Sequence, residues 1–134
     1  MNALKTALLT AFAICALLSA QQNASTQSPL TFELNCAAGD CPLMTGSPQT
    51  SGMRGGSVKL KPGEHIDWHS TSGNEEALVI LHGSGAVNLE KPQSDVPFHE
   101  KMLIHIPPAT RHRVTNTGTE TLEYVWVVAP AAQK

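Results

Sequence analysis

The feature that most limits what this chain can fold into is its punctuation. Ser57-Val58-Lys59-Leu60-Lys61 alternates and stops at Pro62-Gly63. His65 to His69 alternates again and breaks at Thr71-Ser72-Gly73-Asn74. Glu76 to Leu81 is a continuous, largely apolar run of buried-strand length, closed by Gly83-Ser84-Gly85, with Ala86-Val87-Asn88-Leu89 beyond it. A loop carrying Pro92, Asp95 and Pro97 leads to the apolar run Met102 to Ile106, which ends at Pro107-Pro108. After the turn Asn116-Thr117-Gly118-Thr119, the residues Leu122, Tyr124, Trp126 and Val128 alternate with their neighbours. No segment after Leu18 shows a capped apolar stripe of helical period. Short strands with frequent turns predict an all-β sandwich or barrel, in which closure also covers strand edges.

The chain has 134 residues and a formal net charge of -2. It is long enough for one core, and too short for a doubly wound nucleotide-binding enzyme or a (β/α)8 barrel. The charge offers no basic footprint, so no nucleic-acid partner is expected.

The N-terminus carries one lysine (Lys5), an uncharged Ala/Leu-rich stretch from Thr6 to Leu18, and the small residues Ser19-Ala20 before a polar run. This is the pattern of a secretory signal peptide over residues 1–20, cleaved after Ala20. The alternative, a membrane anchor, needs about 20 apolar residues. Removing residues 1–20 leaves 114 residues with net charge -3, periplasmic or secreted and not membrane-bound. Cys15 leaves with the signal, and Cys36 and Cys41 remain as an even pair. In an oxidising compartment such a pair suggests a disulfide; a metal or redox site is the alternative, although the spacing is not Cys-x-x-Cys. Asn23-Ala24-Ser25 fits a glycosylation sequon at the processed end. Residues 21–53 are rich in Ser, Thr, Gly and Pro and read as an arm with one candidate strand at Leu30-Thr31-Phe32-Glu33-Leu34. The barrel is expected over residues 54–131.

All six histidines lie between His65 and His112. Two segments hold the chemistry: Pro62-Gly63-Glu64-His65-Ile66-Asp67-Trp68-His69-Ser70-Thr71-Ser72-Gly73-Asn74-Glu75-Glu76, running on to Gly83, and Ile106-Pro107-Pro108-Ala109-Thr110-Arg111-His112-Arg113-Val114-Thr115-Asn116. Together they resemble the two motifs of the cupin superfamily. In the first motif, Gly63, His69, Glu76 and Gly83 fall on the pattern, and Thr71 stands at the second histidine position. In the second motif, Pro107, His112 and Asn116 match, and Lys101 and Ala109 stand where the pattern has glycine. The resemblance covers roughly Gly55 to Pro130. It implies a single-domain jelly-roll β-barrel of the small type that pairs into a homodimer.

Side chains two apart on a strand face the same way, so a His-x-His pair can aim two imidazoles into a barrel. His69, Glu76 and His112 are the candidate ligands. Two imidazoles and a carboxylate suit a divalent Fe, Mn, Zn, Ni or Cu ion. Thr71 is a poor ligand beside imidazole. Asp67, two before His69, is either a substitute ligand or, with Thr71, His65 and His105, a residue of the substrate pocket. His65 lies about 13 Å along an extended strand from His69, too far to share one ion. Glu75 should face away from Glu76. His82 at the Gly83 turn and His99 in a loop read as bystanders. Trp68 and Trp126 read as core or interface residues, and Arg111 and Arg113 as members of surface ion pairs.

The expected function is therefore an exported cupin that binds a divalent metal and a small molecule, working as an oxygenase or an isomerase. The alternatives are a metal-free small-ligand or sugar-binding cupin without catalysis, and a structural scaffold.

Overall fold

The computed structural model describes residues 28–132. By its contacts the chain divides after Leu30, and every described strand lies in the unit that begins at Thr31. The signal segment, its cleavage point and the sequon lie outside the described residues.

Eight strands follow in order: β1 Gly39–Thr45, β2 Arg54–Leu60, β3 Asn74–His82, β4 Ser84–Leu89, β5 Ser94–His99, β6 Leu103–Ile106, β7 His112–Thr115 and β8 Leu122–Pro130. They form a five-stranded sheet, β1-β2-β8-β3-β6, and a three-stranded sheet, β5-β4-β7. All pairings are antiparallel. This is the all-β architecture that the punctuation predicts. No helix among the described residues is long and apolar enough to cross a membrane.

Alternation builds the core. Val58 and Leu60 of β2, Leu78 and Ile80 of β3, and Leu122 and Tyr124 of β8 meet Val87, Phe98 and Val114 of the smaller sheet, with Ile106 of β6. Each of these side chains is almost fully buried, and burial of a large apolar group contributes about 1.5–3 kcal/mol. The run Glu76 to Leu81 is not buried on both faces. Glu76, Leu78 and Ile80 point in, while Glu75, Val79 and Leu81 are exposed. It is a strand of an antiparallel sheet with one covered face.

Three local expectations need correction. The arm expected over residues 21–53 contributes β1, so the large sheet starts at Gly39 rather than at 54. The candidate strand at Leu30-Thr31-Phe32-Glu33-Leu34 has no ladder partner. The segment with Pro97, read as a loop together with His99, is β5. It lies at the edge of its sheet, where a proline costs no ladder hydrogen bond on the solvent side. Cys36 and Cys41 form a disulfide that closes the entry to β1.

Asn116 ties the turns together. Its Nδ2 donates to the carbonyls of Leu60 and Glu120 (2.9 and 2.8 Å), and its Oδ1 accepts from the Gly118 N–H at 2.9 Å. The motif asparagine is thus a structural residue, buried at the start of the β7–β8 turn.

Candidate metal centre

Three elements supply the site. Glu76 enters from β3, His112 opens β7, and His69 lies on the segment that runs beside β7. His69 and His112 are bridged backbone to backbone, each N–H donating to the other's carbonyl at 2.9 Å. Their rings stand 4.3 Å apart between centroids. Nε2 of His112 lies 3.3 Å from Glu76 Oε2, and Nε2 of His69 lies 3.9 Å from the same oxygen. One ligand atom from each residue falls within 4.8 Å of the others. Two donors bound to one ion at about 2.1 Å stand roughly 3.0–3.4 Å apart, so the three groups need little movement to meet an ion.

The tautomers point the same way. Nδ1 of His69 contacts the Asp67 carbonyl at 2.8 Å, and Nδ1 of His112 contacts the Thr110 carbonyl at 3.0 Å. A carbonyl accepts only from N–H, so both Nδ1 atoms carry the proton and both Nε2 lone pairs face Glu76. Backbone carbonyls behind ligand imidazoles are the usual orienting partners at metal sites. As a result Glu76 Oε2 and His112 Nε2 are buried without a hydrogen-bond partner. Leaving such atoms unpaired costs about 1–3 kcal/mol each. A cation between them removes that cost.

Burial disfavours protonated His112, but the Glu76 carboxylate 3.3 Å away and the Thr110 carbonyl outweigh it and raise its pKa above 6.5. Tyr124, on the same cavity wall, has its phenol pushed far up by burial, then by the charges of Glu76 and Asp40, so it stays neutral.

The other candidates fall differently. Thr71 lines the cavity with His69 and Glu76, but its hydroxyl donates to the Asn74 carbonyl at 2.8 Å. It closes the β3 entry turn rather than offering a fourth ligand. Asp67 is not in the pocket: its side chain is 99% exposed and sits 3.7 Å from His65 Nε2. The reason is one extra residue. The segment His65 to His69, expected as a strand, is joined to β7 only by two isolated bridges, His65–Thr115 and His69–His112, which set four steps of the segment against three of β7, and such an extra residue reverses which side chains face inward. His65 goes outward with Asp67 and is likewise no pocket residue. His105 is also outside: it faces the outer side of β6, 3.8 Å from Glu75 Oε2, and Glu75 and Glu76 point opposite ways. His82 contacts Glu100 and Glu120 at the rim, 3.5 Å from each. Arg111 pairs with Glu90 at 3.0 Å, and Arg113 bonds Asn88 and lies over the Trp68 ring.

The cavity beside the triad is further lined by Asp40, Arg54, Val58, Ile66, Ser70, Val114, Tyr124, Trp126 and Val128. Trp126 is a wall rather than core: its Nε1 donates to Asp40 Oδ1 at 2.8 Å. Gly56 makes that reach feasible, because a Cβ there would sit 2.9 Å from the indole and 2.6 Å from the Cys41 carbonyl. Arg54 and Asp40 were not foreseen from sequence, since only the strand register brings them to this wall.

The cupin-domain family matches residues 56–128, more than half of the chain. The chain is a cupin. A segment of 85 residues is 32% identical to the polyketide synthase CurC of Streptomyces cyaneus, covering 63% of this cupin and 53% of that protein. A segment of 56 residues is 32% identical to a glucose-6-phosphate isomerase of Pyrococcus abyssi, covering 40% and 30%. The cupin thus spans about half or less of the length of these relatives. Among solved structures, an RmlC-like cupin with a double-stranded β-helix fold from Methanocaldococcus jannaschii superposes with a TM-score of 0.62 at 20% identity, over 80% of this chain and 94% of that one. That likeness is one of fold.

Proposed function

We propose that this cupin is an exported protein that holds one divalent ion on His69, Glu76 and His112 and binds a small molecule in the adjoining cavity. The observation that carries the reading is the pair of buried, unpartnered acceptors, Glu76 Oε2 and His112 Nε2, facing the His69 Nε2 lone pair. Acceptors gathered without a donor are what a cation site requires. An iron, manganese, zinc, nickel or copper ion fits two imidazoles and a carboxylate, and leaves positions for water, dioxygen or substrate. Bound there, the ion supplies Lewis acidity or dioxygen activation, the chemistry of an isomerase or an oxygenase. The chain's own residues fix the ligand tautomers, exclude water with Val58, Val114 and Val128, and hold Tyr124 as a neutral hydroxyl at the wall.

Export is supported by the signal-like N-terminus and by the Cys36–Cys41 disulfide, which fits an oxidising compartment. A homodimer is supported by the apolar outer face of β3 and β6, where Val79, Leu81 and Leu103 are exposed, Leu103 to 71%. The partner in function is a small molecule; neither nucleic acid nor, after signal cleavage, a membrane is part of the proposal.

A second reading, a binding cupin without metal or catalysis, is favoured by one observation: the Thr71 hydroxyl is spent on Asn74, so the ion has three ligands and not four. Metal analysis of the purified protein after reconstitution separates the two. One equivalent of ion per chain supports the metal reading. A substoichiometric content after reconstitution with each of the five metals supports the other.

A further inference from the structure

The cavity holds one cation that nothing in the metal reading uses. Arg54 opens β2 and lines the cavity. Cross-strand register fixes where it stands. Arg54 is opposite Val128 of β8, and Val128 is opposite Glu76 of β3. Residues directly opposite across a sheet point to the same face, so Arg54, Val128 and Glu76 form one inward-facing row. With strands about 4.8 Å apart, the Cα atoms of Arg54 and Glu76 are about 10 Å apart. The guanidinium and the triad thus flank the same space from opposite ends of a row, with Val128 as its floor.

Arg54 makes no ion pair among the described residues, whereas Arg111 is paired with Glu90 and Arg113 with Asn88. The cavity's other carboxylate does not serve it. Asp40 is opposite Val58, four residues from Arg54 along β2 and so about 13 Å away. Asp40 already accepts the Trp126 N–H. Space for the arginine stem is provided by Gly46, whose absent Cβ would lie 3.3 Å from Arg54 Cγ.

The charges decide what fits. The lining carries two carboxylates, Asp40 and Glu76, and one guanidinium, Arg54. A divalent ion brings the sum to one positive charge, which a monoanion cancels. The cavity is about 190 Å³, below the roughly 300–1,000 Å³ that encloses drug-sized ligands. A carboxylate meets a guanidinium through two parallel hydrogen bonds.

We propose that the ligand of this cavity is a small organic monocarboxylate, its carboxylate held by the Arg54 fork and a second oxygen turned toward the metal end of the row. The proposal rests on the metal reading of the same pocket and adds to it the substrate class and Arg54 as the residue that selects it.

The test is a titration of the purified, metal-loaded protein, followed by calorimetry, with lactate against lactamide and pyruvate against pyruvamide. Each pair has nearly the same shape and differs in charge. The expected result is that at least one carboxylate binds about tenfold or more tightly than its amide, the worth of a charge-assisted hydrogen bond. Arg54→Met should remove most of that preference while metal content, measured on the same samples, stays at the wild-type level. Arg54→Lys, which keeps the charge and loses the fork, should retain part of it. Metal at one equivalent with no carboxylate preference overturns the role of Arg54 and leaves the metal reading standing. A preference that survives in Arg54→Met does the same. Failure to load metal overturns the metal reading, and the carboxylate proposal falls with it.

Discussion

Replacing Glu76 by glutamine should change stability in opposite directions with and without metal. In the metal-free protein, Glu76 Oε2 and His112 Nε2 are two buried acceptors 3.3 Å apart with no donor between them. The glutamine amide offers an N–H at that place and lets one hydrogen bond satisfy both sides. Each unpaired buried group costs about 1–3 kcal/mol, so the repair should stabilise the metal-free protein by about 1–3 kcal/mol. In a domain of 60–100 residues each kcal/mol moves Tm by about 4–8 °C, and a rise of about 4 °C or more is expected. With metal the order reverses. An ion at 100-fold excess over its Kd contributes about 2.7 kcal/mol to the wild type, and the variant, without its anionic ligand, forfeits most of that. The assay is thermal unfolding with and without one reconstituted metal, run at the most alkaline pH the fold tolerates, because the raised pKa of His112 makes it hold its proton longer than a free imidazole does. A metal-free Glu76→Gln variant that melts below the wild type, or one that keeps the full metal-dependent rise, refutes the reasoning.

Three further outcomes are expected. Lys101→Gly and Ala109→Gly should each raise stability by about 1 kcal/mol, because both residues hold positive φ (65° and 58°) that costs a side-chain-bearing residue about that much; urea unfolding of each single variant checks this, and loss of stability in both contradicts it. Asn116→Ala should cost at least about 2 kcal/mol, since it leaves the Leu60 and Glu120 carbonyls without their donor, as read by the urea midpoint. The metal-free protein should be more stable at about pH 6 than at about pH 8.5. His112 has its folded pKa raised above 6.5, so its contribution is fully present below the unfolded value and is lost as pH rises through the folded one. His112→Ala should flatten that dependence, and an unchanged profile would assign it to other groups.

The motif glycines show what was legible in the sequence and why. Gly63 and Gly83 both have φ of +83°, the conformation that glycine adopts most readily. Lys101 and Ala109 depart from the pattern in residue type, yet their backbones keep the same left-handed turn. The left-handed conformation at these two positions therefore does not require glycine. The ligand candidates His69, Glu76 and His112 were legible through the resemblance to the two cupin motifs, on whose positions all three fall. Asp67 and His65 could not be placed, because a single bulge residue sets their facing and no composition marks it. Arg54 gave no local signal at all: it reaches the cavity only through a register that runs across β2, β8 and β3. β5 was hidden by Pro97, whose acceptance depends on lying at a sheet edge, which is a property of topology and not of the segment.

The most direct test of the central claim is the metal content of the purified protein and of its His112→Ala variant, measured by elemental analysis after reconstitution. The account predicts one equivalent of a divalent transition metal per chain in the wild type and a large loss in the variant. A wild type that takes up none of the five metals, or a His112→Ala variant that retains full occupancy, contradicts it.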